Sequence, residues 1–127
     1  MMDTHVGHLC RPVVSVDMDT PVLKILNNTA WDKLSSVVVL DKDKKVFGII
    51  TETDLLCARA SGPHLKELKA ADVCSRDVIR ISPEDSIIGA ARLMVDNNVH
   101  HVLIMVGDYV EGIVSTLDVL KQYLQRE

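Results

Sequence analysis

One pattern in this chain is written twice. GIITETD, from Gly48 to Asp54, returns as GIVSTLD, from Gly112 to Asp118, and the match extends well beyond the heptad. VVSVDMDTPVLKIL (residues 13–26) lies over VIRISPEDSIIGAA (residues 78–91) at an offset of 65, and SSVVVL (35–40) lies over HHVLIM (100–105) at the same offset. After one residue is lost in the next turn, FGIITETDLL (47–56) meets EGIVSTLDVL (111–120) at 64. Upstream, HLC (8–10) sits over DVC (72–74). A duplication of this length confines the fold to two copies of one supersecondary unit, each too small to bury its own sheet face. The expected domains are residues 4–62 and 68–127. The linker candidate is 60–71, where Gly62-Pro63 breaks regular structure.

Each copy reads as strand, helix, strand, strand, helix. Val13, Val14 and Val16 make a short β-branched strand, matched by Val78, Ile79 and Ile81. Thr20 is placed to cap a helix with Pro21 at its first position, and Asp85 stands in the equivalent place. Helical spacing follows in Val22, Leu23, Leu26 and Ala30, and again in Ile87, Ile88, Ala91, Met94 and Val95. The apolar runs Val37–Leu40 and Val102–Val106 suit buried strands. Turns at 41–45 and 107–109 then lead into Phe47–Thr51 and Val110–Ser115. The closing helices are expected over about Glu52–Ala60 and Thr116–Gln125. The class is α+β, two β-α-β-β-α repeats packed sheet to sheet with pseudo-twofold symmetry.

Thr51 and Ser115 fall where a strand gives way to a helix, each followed three residues later by an acid, Asp54 or Asp118. That arrangement is a capping box, which needs no ligand. It is also a binding constellation. A helix start with free N–H groups and a hydroxyl receives phosphate, and a carboxylate one turn on accepts from the vicinal diol of a ribose. Asp in place of the longer capping Glu, and a Gly before each strand that permits close approach of a backbone or ligand, favour the second role. One residue can serve both.

Two such repeats, each ending in Gly-apolar-apolar-Thr/Ser-x-x-Asp, resemble a pair of cystathionine-β-synthase (CBS) domains, the Bateman module, over about residues 4–125. The resemblance implies clefts between the repeats that take AMP, ADP, ATP or S-adenosylmethionine as a regulatory ligand, with no catalytic cofactor. It implies that Asp54 and Asp118 hold ribose hydroxyls and that Thr51 and Ser115 contact ribose or phosphate. Adenine would lie near Val14, Val16, Ile79 and Ile81. A homodimer and control of a separate effector protein in trans are also implied. The first strands differ at one place, Ser15 against Arg80, and Arg80 could meet a phosphate or fill its pocket. His100 and His101 face opposite ways, so one of them could reach a phosphate. The alternative reading is a dimerisation scaffold with vestigial clefts.

Other features narrow the class. The formal charge of −4 lacks the broad positive field of a nucleic-acid binder. No apolar run approaches the ~20 residues of a membrane span, and three unpaired cysteines with no secretory signal indicate a reducing cytoplasm. No nucleophile–base pair is evident, so the chain is expected not to be an enzyme. His5, His8 and Cys10 have metal-compatible spacing, but a frayed, His-bearing N-terminus is the simpler expectation and no metal is assigned. Cys10 and Cys74, equivalent in the repeat, read as small core fillers. Trp31, where the second copy has Asp96, reads as a core or dimer-interface filler, with a partner-docking anchor as the alternative.

Overall fold

A computed structural model describes residues 4–27 and 36–125. By its contacts the chain divides into two compact units. One is Val13–Val78, and the other joins Met1–Pro12 to Ile79–Glu127. The sequence repeat and these units do not share boundaries, because the segment before each repeat packs in the unit of the other repeat.

In the first unit β1 (Val14–Asp17) pairs parallel with β2 (Ser36–Leu40), and β2 pairs antiparallel with β3 (Val46–Thr51), giving the order β1-β2-β3. The parallel pair requires a crossover, which includes α1 (Val22–Leu26). Asp41 closes the β2–β3 hairpin: its Oδ1 accepts the N–H of Asp43 at 2.8 Å and of Lys45 at 3.0 Å. These bonds hold Lys44 at φ 65. After β3 come α2 (Glu52–Arg59), a 3-10 turn at Gly62–Glu67 and α3 (Ala70–Val73). The second unit repeats the plan: β4 (Arg80–Ile81), α4 (Ile87–Asp96), β5 (His101–Val106), β6 (Tyr109–Ser115) and α5 (Thr116–Gln125), in the order β4-β5-β6. Even the irregularity in the hairpin ladder recurs, at Val39/Leu40 and at Ile104/Met105.

Strand alternation sorts each sheet into two faces. On the helix side, Val37, Val39 and Ile50 join Val22, Ile25, Leu55, Ala58 and Ala70 in one core. Val102, Ile104 and Val114 join Val6, Ile87, Ala90, Met94 and Val119 in the other. On the opposite face Val38, Ile49, Leu103 and Ile113 are also buried.

Several expectations are corrected. Residues 60–71 are not a plain linker, since Ala70 is fully buried in the first unit's core. The N-terminal segment is not frayed from Thr4 onward. Val6–Leu9 forms a 3-10 turn with Val6 fully buried, and the N–H groups of Val6 and Gly7 donate to the carbonyls of Asp85 and Pro83. Pro21, rather than Thr20, is the cap residue of α1, and it has no side-chain cap bond; the Thr20 N–H closes a turn onto the Asp17 carbonyl. Ser86, rather than Asp85, caps α4 by accepting from the Gly89 N–H at 2.9 Å, while Asp85 accepts from the Ser82 N–H. Val95 is exposed despite its helical spacing. Ala30 and Trp31 lie outside the described residues.

Both heptad glycines have the same cause. Gly48 lies against Cys74 and Ser75, and Gly112 lies against Cys10 and Arg11, so closely that a Cβ at either place would overlap sulfur and backbone. Each flanking segment adds one bridged residue to the sheet edge, Ser75 to Ile49 and Arg11 to Ile113. The close approach is to a backbone of the same unit, and it keeps Cys10 and Cys74 half-buried against their cores. Burial raises both thiol pKa values.

Candidate ligand sites

Each site is built at the exit of the third strand of a repeat. In the first unit Asp54 Oδ2 accepts the Thr51 N–H at 2.8 Å and the Thr51 hydroxyl at 3.1 Å. In the second, Asp118 Oδ2 accepts the Ser115 N–H at 2.7 Å and its hydroxyl at 2.9 Å, and the Asp118 N–H returns a bond to Ser115 Oγ at 3.2 Å. The capping reading of the heptad is therefore realised in both copies. Both carboxylates are half-buried.

The second oxygen separates the two sites. Arg11 Nε lies 3.0 Å from Asp118 Oδ1 and 3.1 Å from Oδ2, with the Asp118 side chain only 15% exposed. In the first unit the bridge that Arg11 makes to Ile113 is made by Ser75 to Ile49, so serine replaces the arginine. Asp54 Oδ1 has no hydrogen-bond or ion-pair partner among the described residues. The nearby Arg76 is committed elsewhere: its guanidinium stacks 3.6 Å above the Phe47 ring and donates to the Phe47 carbonyl at 2.6 Å.

The remaining sequence-nominated residues divide by strand face. Val14 and Val16 pack against the first core; Ile79 packs against the second, and Ile81 is part of it. Ser15 and Arg80 alternate to the opposite face and are exposed. His101 stands directly across the ladder from Ser115, as Ser36 does from Thr51. His100 precedes β5 and is exposed, and its carbonyl accepts the Thr116 N–H at the start of α5. The structure thus brings Ser115, Asp118, His101 and Arg11 to one end of a sheet, and Thr51, Asp54, Ser36 and Ser75 to one end of the other.

Arg11 was missed by motif reading because it lies outside the heptad. The signal was present, since the HLC/DVC match carried one residue further sets Arg11 over Ser75. A groove of about 550 Å³ runs beside the docked N-terminal segment, lined in part by His5, His8, Cys10, Arg11, Glu84 and Glu111. The His5 and His8 rings are 6.5 Å apart, and among the described residues no group of three or more His, Cys, Asp or Glu side chains is placed to hold a metal. No described helix is long and apolar enough to cross a membrane.

Comparison with known proteins fits this geometry. The sequence profile described as "CBS domain" matches the chain twice, over residues 6–61 and 70–125. The chain belongs to the CBS-domain family. CBS pairs are regulatory modules. This CBS pair is similar to the CBS-domain containing protein ATU1752 from Agrobacterium tumefaciens, with 28% identity, coverage of 96% of this chain and 95% of that one, and a TM-score of 0.82. It shares its fold with the CBS domain pair of protein MJ0100, solved in complex with 5′-methylthioadenosine and S-adenosyl-L-methionine, at 20% identity, a TM-score of 0.84 and 98% coverage of both chains. A curated relative, an uncharacterized protein of Methanocaldococcus jannaschii, is 30% identical over 94% of this chain, which spans only 29% of that relative's length.

Proposed function

We propose that this CBS pair is a cytoplasmic, non-catalytic sensor of an adenosyl ligand, an adenine nucleotide or a thioadenosyl compound, that controls a partner protein in trans. Asp54 and Asp118 accept from the ribose hydroxyls, and Thr51 and Ser115 contact ribose or phosphate. The observation that carries the reading is the Asp54 carboxylate. One oxygen is spent on the cap, and the other has no hydrogen-bond or ion-pair partner among the described residues, beside the N-terminus of α2. The fold-mate that holds 5′-methylthioadenosine and S-adenosyl-L-methionine supports the ligand class. Ligand binding acts on the partner only through a difference in affinity for two states of the module.

A thermal-shift panel of AMP, ADP, ATP, adenosine, 5′-methylthioadenosine and S-adenosylmethionine tests it. A ligand at ~100 times its Kd adds about 2.7 kcal/mol of stability, and that shift should fall when Asp54 or Asp118 becomes Ala. No shift with any compound would refute the reading.

A second reading, a dimerisation scaffold, is favoured by Leu117, Leu120 and Leu124, which lie 56%, 54% and 64% exposed along one side of α5. Leu56 on α2, equivalent to Leu120 in the repeat, is 70% exposed. A homodimer whose sedimentation coefficient drops to that of a monomer in a Leu120→Glu/Leu124→Glu variant, with no ligand moving the melting temperature, would favour the scaffold.

A further inference from the structure

The carboxylate that the adenosyl reading assigns to ribose is covered in one unit and open in the other. Arg11 Nε reaches both oxygens of Asp118, at 3.0 Å and 3.1 Å, and the acid's side chain is left 15% exposed. A donor set on both oxygens fills the acceptor positions that vicinal hydroxyls would use. Asp54 Oδ1 has no hydrogen-bond or ion-pair partner among the described residues. The backbone beside the two acids is the same. Arg11 and Ile113 exchange N–H···O bonds of 3.0 and 2.9 Å, and Ser75 and Ile49 exchange bonds of 2.8 and 3.0 Å. The occupant of Asp118 is therefore one side chain added to a shared frame.

Arg11 has a second anion within its surroundings. It lines the groove of about 550 Å³ beside the N-terminal segment, together with Glu84 and Glu111. Glu84 is engaged, since its carboxylate accepts the Ser82 hydroxyl. Glu111 is exposed, precedes Gly112 on β6, and has no hydrogen-bond or ion-pair partner among the described residues. Burial, and after it the charge of Glu111, raises the Cys10 thiol pKa, which fits a carboxylate beside the residue that precedes Arg11. The main chain can stay in place while the guanidinium turns. Val6 is fully buried, and the N–H groups of Val6 and Gly7 hold the segment on the Asp85 and Pro83 carbonyls.

Resting on the adenosyl reading above, we propose that Arg11 is an autoinhibitory latch on the second site. With no ligand bound, its guanidinium covers the ribose-binding edge of Asp118. A ribose that takes this carboxylate turns the guanidinium into the groove, where Glu111 receives it with a charge-assisted hydrogen bond. Each arrangement pairs the arginine with one acid. The ligand biases this two-state element through its affinity for one arrangement alone. The first site carries serine in place of the latch, so it fills at lower ligand concentration. The module then reads ligand level in two steps, first at Asp54 and then, with the side-chain swing, at Asp118.

The test titrates adenosine and 5′-methylthioadenosine into the full isotopically labelled chain. NMR follows the junction amides and the Arg11 Nε–H. In the wild type the Thr51 and Asp54 amides should respond at lower concentration than those of Ser115 and Asp118. The Arg11 Nε–H should shift only with the second pair. Arg11→Ser keeps the bridge, since serine makes the same one in the first unit. It should tighten binding at Asp118 about 3- to 5-fold, as loss of a part-exposed competing ion pair would, and leave Asp54 unchanged. Ser75→Arg should weaken binding at Asp54 by a similar factor. Glu111→Gln withdraws the second anion and should weaken binding at Asp118 alone; no change there would overturn Glu111 as the receiving acid. An arginine with a merely structural role gives no gain. Binding at Asp118 that is unchanged or weaker in Arg11→Ser, with Asp54 still responding, would overturn the latch and leave the adenosyl reading intact. Binding at Asp118 seen in Arg11→Ser but not in the wild type would support both. No response at either junction, in the wild type or in Arg11→Ser, would overturn both.

Discussion

The two carboxylates of the repeat, Asp54 and Asp118, are held by nearly superimposable local bonds and yet live in opposite electrostatic settings. Each spends Oδ2 on its own helix cap. Asp118 then meets Arg11 at 3.0 Å, while in the first unit the bridge position of that arginine is held by Ser75. The duplicated motif therefore fixes a shared junction geometry, and the flanking segment, which is not part of the motif, decides whether the acid is paired with a cation. A duplicated capping element can diverge in its surroundings in this way without any change to the elements that fold it.

The shared half of the comparison breaks most severely at the glycines. Gly48→Ala and Gly112→Ala force the flanking segments off the sheet edge, and each should lower stability by about 1–3 kcal/mol as overpacking does. The effect should be larger for Gly112, whose Cβ position overlaps Cys10 more closely than that of Gly48 overlaps Cys74. Urea titration measures it. A Cys10→Ala change in the Gly112→Ala background should recover part of the loss, and equal loss with and without that change would show that the thiol is not the obstacle.

The differing half is sharpened by the acids. Asp118→Ala removes a cap and leaves Arg11 unpaired, so it should cost about 1.5–3 kcal/mol, the range for bonds to charged groups. Asp54→Ala loses the cap alone, about 1 kcal/mol. Equal losses in thermal melts would mean that the Arg11 pair contributes nothing to folding. Smaller again is Arg11→Ser, which removes a guanidinium whose side chain is 37% exposed and should cost no more than about 1 kcal/mol.

Much of this was legible in the sequence. The offsets of 65 and 64 placed both hairpins, both closing helices and both junctions, because repetition supplies a second reading of every ambiguous segment. What stayed hidden depended on contacts far apart in the chain. Nothing local to 60–71 or 4–12 indicates that Ala70 and Val6 would be fully buried, because each fills a core formed by residues distant in sequence. The heptad glycine was readable as a close approach, but not as an approach by Cys10 and Cys74 rather than by a ligand. The caps at Thr20 and Asp85 were misjudged because several hydroxyl and acidic residues compete at those turns, and the winner, Ser86, is set by where α4 begins.

The smallest expected effect separates the cysteines. Burial raises the Cys10 and Cys74 pKa values above 9.0, so the folded state keeps thiol protons that the unfolded chain releases. That contribution is intact below the unfolded thiol pKa and is lost as pH rises through the folded values. Stability should therefore be flat from neutral pH to about pH 8 and decline above about pH 9. Exposed Cys57 should be alkylated first, with Cys10 and Cys74 lagging, as mass spectrometry of iodoacetamide-treated protein would record. Equal rates at all three would contradict the packing of the flanking segments.

Calorimetric titration of AMP and 5′-methylthioadenosine into the wild-type chain, Asp54→Ala and Asp118→Ala tests the central claim most directly. The account predicts adenosyl binding by the wild type that is weakened or lost in Asp54→Ala, in Asp118→Ala or in both. Binding of either compound that is unchanged in both variants would contradict it, because the duplicated carboxylates would then be helix caps and nothing more.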